Sequence, residues 1–218
     1  MDMLETIVYR RSIRSYKDIP IPRGILSDIL TAGQHAPLAG NSQNLRFVVI
    51  DDEPLKKKIA TACYAQNWMV TAPIFIVICS DVVKIEQLYP SNGQNFGTQN
   101  ASAAAQNMIL LAESQGVSSC WVADFKVKTV KDLLHIPDTY TPRIIIPFGY
   151  ANEHVPKPAK ADLYALTFLN GFGGPYAFSD TDWLFNDFST SLQKKGSRAW
   201  DSFKNTLAVI KDSFKKKK

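Results

Sequence analysis

The 218-residue chain lacks any apolar run long enough to cross a bilayer. Its longest runs, "PIFIVIC" at 73–79 and "RIIIPFGY" at 143–150, fall far short of the roughly 20 residues that a membrane-spanning helix needs. No leader with a charged start and an apolar centre opens the sequence. We therefore expect a soluble, cytoplasmic protein with no membrane partner.

Cysteine and histidine are scarce, with three residues of each. The histidines share no spacing typical of metal ligands, so we expect no bound metal. The cysteines are odd in number, widely spaced and set in apolar surroundings, which favours buried free thiols over a disulfide framework or a zinc site. They are Cys63, Cys79 and Cys120.

Positive charge is in excess, but little of the excess belongs to the body of the chain. The net charge is +5, and residues 215–218 are all lysine. No basic motif interleaved with aromatic residues accompanies this run, so we expect no nucleic-acid partner. A nucleic-acid binder that uses the lysine tail stays open as an alternative, and it predicts steeply salt-dependent binding without a bound chromophore.

The hydrophobic residues, 45% of the chain, suffice for a core, and their spacing alternates between helical and strand-like. This alternation indicates a layered mixed sheet with helices on both faces. We expect lysines 56–58 to face water, and the alanine-rich face of the helix near residue 105 to lie at the centre of the domain or of a subunit interface. Helices are predicted at 2–10, 22–36, 53–65, 100–116 and 127–136, and strands at 45–52, 72–81, 118–125 and 142–151.

The sequence changes character after Pro156, where basic, glycine-rich and aromatic stretches follow one another. Apolar residues at helical spacing beyond residue 180 predict one or two amphipathic helices. We therefore divide the chain into a main domain, residues 1–169, and a helical appendage with a lysine tail, residues 170–218, packed on it.

The stretch "YRRSIRSY" at 9–16 concentrates three arginines near the amino terminus. Guanidinium groups offer donors in a rigid fork that matches phosphate and carbonyl oxygens, which predicts a ligand that bears a phosphate. The alternative is a surface cluster paired with nearby carboxylates. In an extended segment successive side chains point to opposite sides. One face would then carry Arg10, Ser12 and Arg14, and the other face would carry Arg11 and Ile13.

Four motifs follow one another along the chain. They are "RRSIR" at 10–14, "APLAGNSQN" at 36–44, "SCWVADF" at 119–125 and "PFGYANEHVPKPAK" at 147–160. Together they resemble the FMN-dependent nitroreductase family over roughly residues 3–160. The chain departs from the family pattern at Leu38, where the family has serine, at Asn44, where it has proline, and at Ala159, where an arginine is expected.

The resemblance implies a three-layer α+β fold. Its central sheet would be mixed and mostly antiparallel, with helices on both faces, and two chains would form an intertwined homodimer with FMN at the interface. No "GxGxxG" fingerprint occurs, and the sequence does not choose between NADH and NADPH as the electron donor.

The resemblance also implies which residues bind FMN. Arg10, Arg11 and Ser12 would hold the ribityl phosphate, and either Lys157 or Lys160 would close it from the far side. Arg14 would approach N1 and the C2 carbonyl of the flavin ring.

Other residues would surround the ring itself. By the same resemblance, Asn67 would reach its pyrimidine edge, and the backbone of Ala123 and Asp124 would lie by N5. A loop, in this family often from the partner subunit, would contribute Pro37, Leu38, Asn41 and Gln43. No side-chain acid or base is evident, so the chemistry would belong to the flavin.

The function implied is hydride transfer from NADH or NADPH through FMN to a small electron-poor acceptor, a nitro compound or a quinone, by a ping-pong mechanism. Relatives on this scaffold also carry out reductive dehalogenation and flavin-modifying chemistry. A flavin-binding or electron-storing protein with little turnover is a further alternative.

Overall fold

The computed structural model describes residues 2–174. They belong to two compact units, one ending at Lys157 and the other beginning at Pro158. The predicted division into 1–169 and 170–218 stays a prediction, and the amphipathic helices expected in the appendage lie outside the described residues.

The first unit alternates helices with strands, as the sequence predicts. Its strands are β1 (Leu45–Ile50), β2 (Ile74–Asp81), β3 (Ser118–Ser119) and β4 (Tyr140–Gly149). Its helices are α1 (Met3–Tyr9), α2 (Arg23–Gln34), α3 (Glu53–Ala62), α4 (Val82–Leu88), α5 (Gly93–Ser114) and α6 (Val127–Leu134), with short 3-10 helices at Ala39–Asn41 and Asn67–Thr71.

The strands form one sheet in the order β1-β2-β4-β3, and each neighbouring pair is antiparallel. The parallel component within the described chain is a single bridge between Ser12 and Ser119. The α+β architecture is therefore confirmed.

Helices cover both faces of the sheet and give it two apolar cores. Because side chains alternate along a strand, Phe75 and Val77 of β2 pack in the core with α3 and α6, whereas Ile76 and Ile78 pack in the core with α2 and α5. β2 is consequently apolar without interruption from Ile74 to Cys79, and this explains why its sequence shows no period of two.

The ends of several elements follow the signals in the sequence. The carboxylate of Asp2 accepts the N–H of Glu5, whose own carboxylate accepts the N–H of Asp2, a capping box that starts α1. Gly116, with φ of 77°, follows α5 in the left-handed conformation that favours glycine. Pro22 is the N-cap of α2 rather than its first helical residue.

The helix predicted at 100–116 begins earlier than the sequence indicated, within the polar stretch at 89–99. α5 begins at Gly93, and α4, which the sequence did not reveal, precedes it. The glycines pack closely here: a Cβ on Gly93 would lie 2.7 Å from the Cα of Glu86, and one on Gly97 would lie 3.1 Å from Ser80 Oγ. These glycines therefore permit close packing and do not end the helix.

The exposed position predicted for Lys56 is also wrong. Its side chain is 1% exposed, and Nζ donates to the carbonyls of Ala72 at 2.8 Å and Pro73 at 3.3 Å. An ion pair with Glu53 completes its partners. A buried ammonium is tolerated because its donors and its charge are satisfied.

The alanine-rich face of α5 lies at the centre of the domain. Ala101, Ala104 and Ala105 are fully buried, and α5 packs against α2. By contrast, the apolar side chains of α1 are largely open within one chain, with Leu4 and Ile7 about half exposed. The strand predicted at 118–125 is shorter, since only β3 and a bridge at Val122 pair with β4.

The second unit is described through residue 174. It contains α7 (Leu163–Leu166), whose first turn is capped by Asp162, and a turn in which the rings of Phe168 and Phe172 lie 4.6 Å apart. No helix between residues 2 and 174 is long and apolar enough to span a membrane.

Candidate functional site

The arginine-bearing segment that follows α1 is fixed by backbone pairing on two sides. Ser12 pairs with Ser119, Ile13 N–H donates to the Ser119 carbonyl at 3.1 Å, and Tyr16 pairs with Ala151. The buried side chains of Ile13 and Tyr16 hold the segment in the core. It is thus a rigid platform beside β3 and the end of β4.

The first two arginines lie at the end of α1. Arg11 Nη1 donates to the carbonyls of Val8 at 2.9 Å and Arg10 at 2.7 Å, and thereby caps the helix. Burial raises the pKa of Glu113, and the charges of Arg10 and Arg11 act in the opposite direction. This carboxyl group of α5 therefore lies within electrostatic reach of both guanidinium groups.

The hydroxyl of Ser12 lies beside a buried thiol. Burial raises the pKa of Cys120, while the charge of Arg14, a hydrogen bond with the Ser12 side chain and the charge of Arg10 act to lower it. The structure thus brings three of the predicted phosphate- and ring-binding residues around one cysteine. All three cysteines are buried and free, as predicted.

Arg14 is held by residues from two other parts of the chain. The backbone N–H groups of Arg14 and Ser15 both donate to Oε1 of Glu153, the second at 3.0 Å. The guanidinium carbon of Arg14 lies 5.7 Å from the centre of the Trp68 ring, which is a cation–π contact. Sequence reasoning missed both residues, although Trp68 follows the predicted Asn67 and Glu153 lies within the motif at 147–160.

Asn67 begins the 3-10 helix that carries Trp68. The turn before it is strained: Tyr64 and Ala65 both have φ of 57°, a left-handed conformation that costs energy in residues other than glycine. Asn67 N–H donates to the Ala65 carbonyl at 2.7 Å. The turn therefore leads into the 3-10 helix from which Trp68 reaches Arg14, and the contact of Asn67 with the flavin stays a prediction.

The loop with Ala123 and Asp124 lies against the end of α3, next to the same turn. Both residues are exposed, and the N–H of Lys126 donates to the Ala62 carbonyl at 2.9 Å. Asp124 is close enough to Cys63 to contribute, after burial, to the raised pKa of that thiol. The loop at 123–124 therefore lies beside the end of α3, from which the turn to Asn67 and Trp68 begins.

The loop at 37–43 belongs to a different region, in the layer of α2 and α5. Leu38 and Gln43 line a cavity of about 570 Å³ between α2 and β1, and none of the arginines of the 9–16 segment lines it. Gln43 Nε2 donates to Asn41 Oδ1 at 2.6 Å, and both residues have positive φ. Within one chain, Pro37, Leu38, Asn41 and Gln43 are not gathered with Arg14.

A buried amide network holds this loop to α5. Asn100 Nδ2 donates to Asn44 Oδ1 at 2.9 Å, and Ser42 Oγ donates to the same oxygen at 3.0 Å. Asn100 Oδ1 accepts the N–H of Ala39 at 2.9 Å. Asn44, which replaces the family proline, is therefore part of the loop's anchor.

Either of two lysines is predicted to contact the phosphate. Lys157 is the last residue of the first unit, and Lys160 belongs to the second. Lys157 and Lys160 are both exposed, and which of them reaches the phosphate stays a prediction. Between residues 2 and 174 no group of three or more metal-ligating side chains is assembled.

Comparison with known proteins identifies the family. The model of the nitroreductase family matches residues 7–69 and 61–150. A Methanothermobacter thermautotrophicus protein with a provisional NADH dehydrogenase/NAD(P)H nitroreductase name is 31% identical over 168 residues, 75% of this chain and 83% of its own. The Bacillus subtilis protein named FMN reductase [NAD(P)H] is 27% identical, with 78% and 75% of the two chains covered.

Among solved structures, the FMN-dependent nitroreductase of Clostridium difficile R20291 superposes with a TM-score of 0.69 at 27% identity, covering 78% of this chain and 99% of that one. The family model covers more than half of the chain, so these similarities define the class. The chain belongs to the nitroreductase family.

Proposed function

We propose that this protein passes hydride equivalents from NADH or NADPH, through bound FMN, to a small electron-poor acceptor such as a nitroaromatic compound or a quinone, in a ping-pong mechanism. The enzyme class is that of its family: it is an NAD(P)H-dependent FMN oxidoreductase. The names of the Bacillus and Clostridium relatives, an FMN reductase and an FMN-dependent nitroreductase, support the cofactor.

The observation that carries the proposal is the platform of residues 10–14. Its exposed or half-buried guanidinium groups are mounted on backbone that β3 and the region after β4 hold in place. Such donors fit a phosphate at one end and carbonyl oxygens at the other. The donor set therefore fits FMN, with Arg10, Arg11 and Ser12 proposed for the phosphate and Arg14 for N1 and the C2 carbonyl.

Arg11 also has a structural task, since its guanidinium group caps α1. We propose that its remaining donors face the phosphate, while Arg10 and Ser12 make the principal contacts. On the ring side, we propose contacts from Asn67 and from the backbone of Ala123 and Asp124.

Bound FMN would supply hydride-transfer chemistry at N5, with nucleotide oxidation and acceptor reduction as separate half-reactions. The chain's own contribution is orientation and charge. A cation about 4 Å from a unit negative charge stabilises it by roughly 4 kcal/mol at an effective dielectric constant of about 20. For a two-electron couple this is on the order of 90 mV before desolvation, so Arg14 favours the reduced cofactor.

The separation of the two predicted halves of the site supports a homodimer. Pro37, Leu38, Asn41 and Gln43 lie in a different layer from Arg14, so we propose that they reach the FMN of the partner subunit. The half-exposed apolar face of α1 is a surface that a second copy can cover. Light scattering that finds a flavin-loaded monomer would contradict this arrangement.

The acceptor site should be less polar than in relatives that keep the family serine, because Leu38 replaces it. We propose small, flat, apolar acceptors on that basis, in the cytoplasm where NADH and NADPH are available. Reductive dehalogenation and flavin-modifying reactions are the alternatives to test with the same protein.

The test is purification without added cofactor, followed by a visible spectrum and anaerobic titration with NADH and with NADPH. The expected result is absorbance near 450 nm that either nucleotide bleaches and that a quinone restores. A coloured protein that neither nucleotide bleaches would favour an electron-storing protein. A colourless protein that does not bind added FMN would refute the proposal. Arg14→Gln should slow bleaching, whereas Arg23→Gln, at an exposed position of α2, should not.

A further inference from the structure

We infer that Trp68 is a positioning residue that fixes the guanidinium group of Arg14 and thereby sets the reduction potential of the bound flavin. The inference rests on the proposed function, because it takes Arg14 to lie beside FMN. Its basis is the cation–π contact, in which the guanidinium carbon lies 5.7 Å from the centre of the indole ring.

Hydrogen bonds hold the backbone of Arg14, so the conformation of its side chain decides where the charge lies. Glu153 Oε1 accepts the N–H groups of both Arg14 and Ser15. Ile13 and Tyr16, on either side, are buried. The arginine side chain, however, is exposed and has several rotatable bonds, so it needs a further contact to stay in one conformation.

The segments that carry Arg14 and Trp68 are also tied to each other. Tyr16 N–H donates to Thr71 Oγ1 at 3.2 Å, and Thr71 Oγ1 donates to the Trp68 carbonyl at 2.9 Å. Where the 3-10 helix ends, Lys56 Nζ donates to the carbonyls of Ala72 and Pro73. These bonds fix the backbone of Trp68 relative to residues 14–16, and its partly buried indole ring packs against the core beneath α3.

An indole ring suits this purpose better than a carboxylate would. A carboxylate paired with the guanidinium group would cancel the charge that the reduced cofactor needs. The face of an indole attracts a cation through its quadrupole and leaves the net charge unchanged. Glu153 is consistent with this arrangement, because the contacts of its Oε1 are to backbone N–H groups rather than to the guanidinium group.

The experiment compares the reduction potential of the FMN-loaded wild-type protein with those of Trp68→Phe and Trp68→Leu, by anaerobic equilibration with reference dyes. Leucine removes the ring, so the guanidinium group gains freedom and the potential should fall. We expect the equilibrium constant for flavin reduction to fall by about tenfold, which is about 30 mV for a two-electron couple. Phenylalanine, a weaker cation–π partner than tryptophan, should give a smaller shift in the same direction.

The control is the same pair of substitutions in an Arg14→Gln background. If Trp68 acts through Arg14, the shift should vanish there. Equal shifts in both backgrounds, an unchanged potential or a rise would overturn the inference. Should the leucine variant lose FMN, the graded shift of the phenylalanine variant decides.

The outcome also separates this inference from the proposed function. A wild-type protein that binds no FMN overturns both. A wild-type protein that binds FMN and is bleached by NADH or NADPH, with a potential that does not respond to Trp68, overturns the role of Trp68 and leaves the proposed function standing.

Discussion

Asn100 of the central helix α5 accepts the backbone N–H of Ala39 through its side-chain oxygen, at 2.9 Å. Its nitrogen donates to Asn44 Oδ1, so one buried amide holds both ends of the loop that we propose to reach the partner's flavin. A residue at the centre of one layer is thereby linked to a loop that carries Leu38 and Gln43.

Asn100→Ala should loosen this loop. The change leaves the Ala39 N–H and Asn44 Oδ1 without this partner, so we expect a loss of about 1–3 kcal/mol in the free energy of unfolding. FMN affinity should fall by about tenfold, which is about 1.4 kcal/mol. Urea unfolding and flavin titration measure the two quantities, and Asn95→Ala, at an exposed position of α5, is the matched control. If the free energy of unfolding fell while the FMN affinity stayed unchanged, Asn100 would contribute to stability but not to FMN binding.

Lys56→Met should destabilise the protein by about 2 kcal/mol, because two carbonyls lose a charged donor. The neighbouring substitution Lys57→Met removes the same charge from an exposed side chain and should change the free energy of unfolding by no more than about 0.5 kcal/mol. Urea unfolding midpoints of the two variants provide the comparison. Equal midpoints would show that the contacts of the Lys56 ammonium contribute no net stability.

The sequence predicted the order of the main elements because their signals are local. The capping box of α1, the apolar run of β2 and Gly116 after α5 all depend on nearby residues. Lys56 was predicted to be exposed because its position in the helix does not show that its ammonium group meets the carbonyls of Ala72 and Pro73. These residues come from a later segment of the chain.

The candidate site was partly predictable for the same reason. The arginine-bearing segment is a contiguous motif, whereas Trp68 and Glu153 become its neighbours only after the chain folds. Asn100 could have been found from the sequence, since its spacing from Ala104 and Met108 places an amide on the buried face of an apolar helix.

Stability should fall in alkaline solution because of the buried thiols. Burial raises the pKa of Cys63 to about 12, from an ordinary value of 9.0, and does the same for Cys79. Between pH 9 and pH 12 these thiols stay protonated in the folded state but lose their protons in the unfolded state. The free energy of unfolding therefore falls as the pH rises from 9 toward 12.

The slope should be up to about 1.4 kcal/mol per pH unit for each thiol, with no contribution from these groups below about pH 8. Urea midpoints at pH 7.5, 9 and 10.5 test this dependence. Cys79→Ala lowers the overall stability but should flatten the alkaline slope, because one of the thiols no longer titrates. A slope identical to that of the wild-type protein would rule out a contribution from Cys79.

Gly149 allows Tyr16 to lie against the end of β4. A Cβ at this position would be 2.7 Å from Pro73 Cδ and 2.9 Å from Tyr16 Cδ1. Gly149→Ala must therefore displace Pro73 or Tyr16, and we expect it to cost about 1–3 kcal/mol of stability. Because Tyr16 fixes the segment that carries Arg14, FMN affinity should fall as well.

Gly24→Ala is the matched substitution, since a Cβ at Gly24, in the first turn of α2, meets no atom within 4 Å. Alanine there should stabilise the protein by about 0.5–1 kcal/mol and leave FMN binding unchanged. Urea midpoints and flavin titrations of the two variants provide the measurement. If Gly149→Ala lowered stability but bound FMN as tightly as the wild-type protein, the position of Tyr16 would not be transmitted to the flavin site.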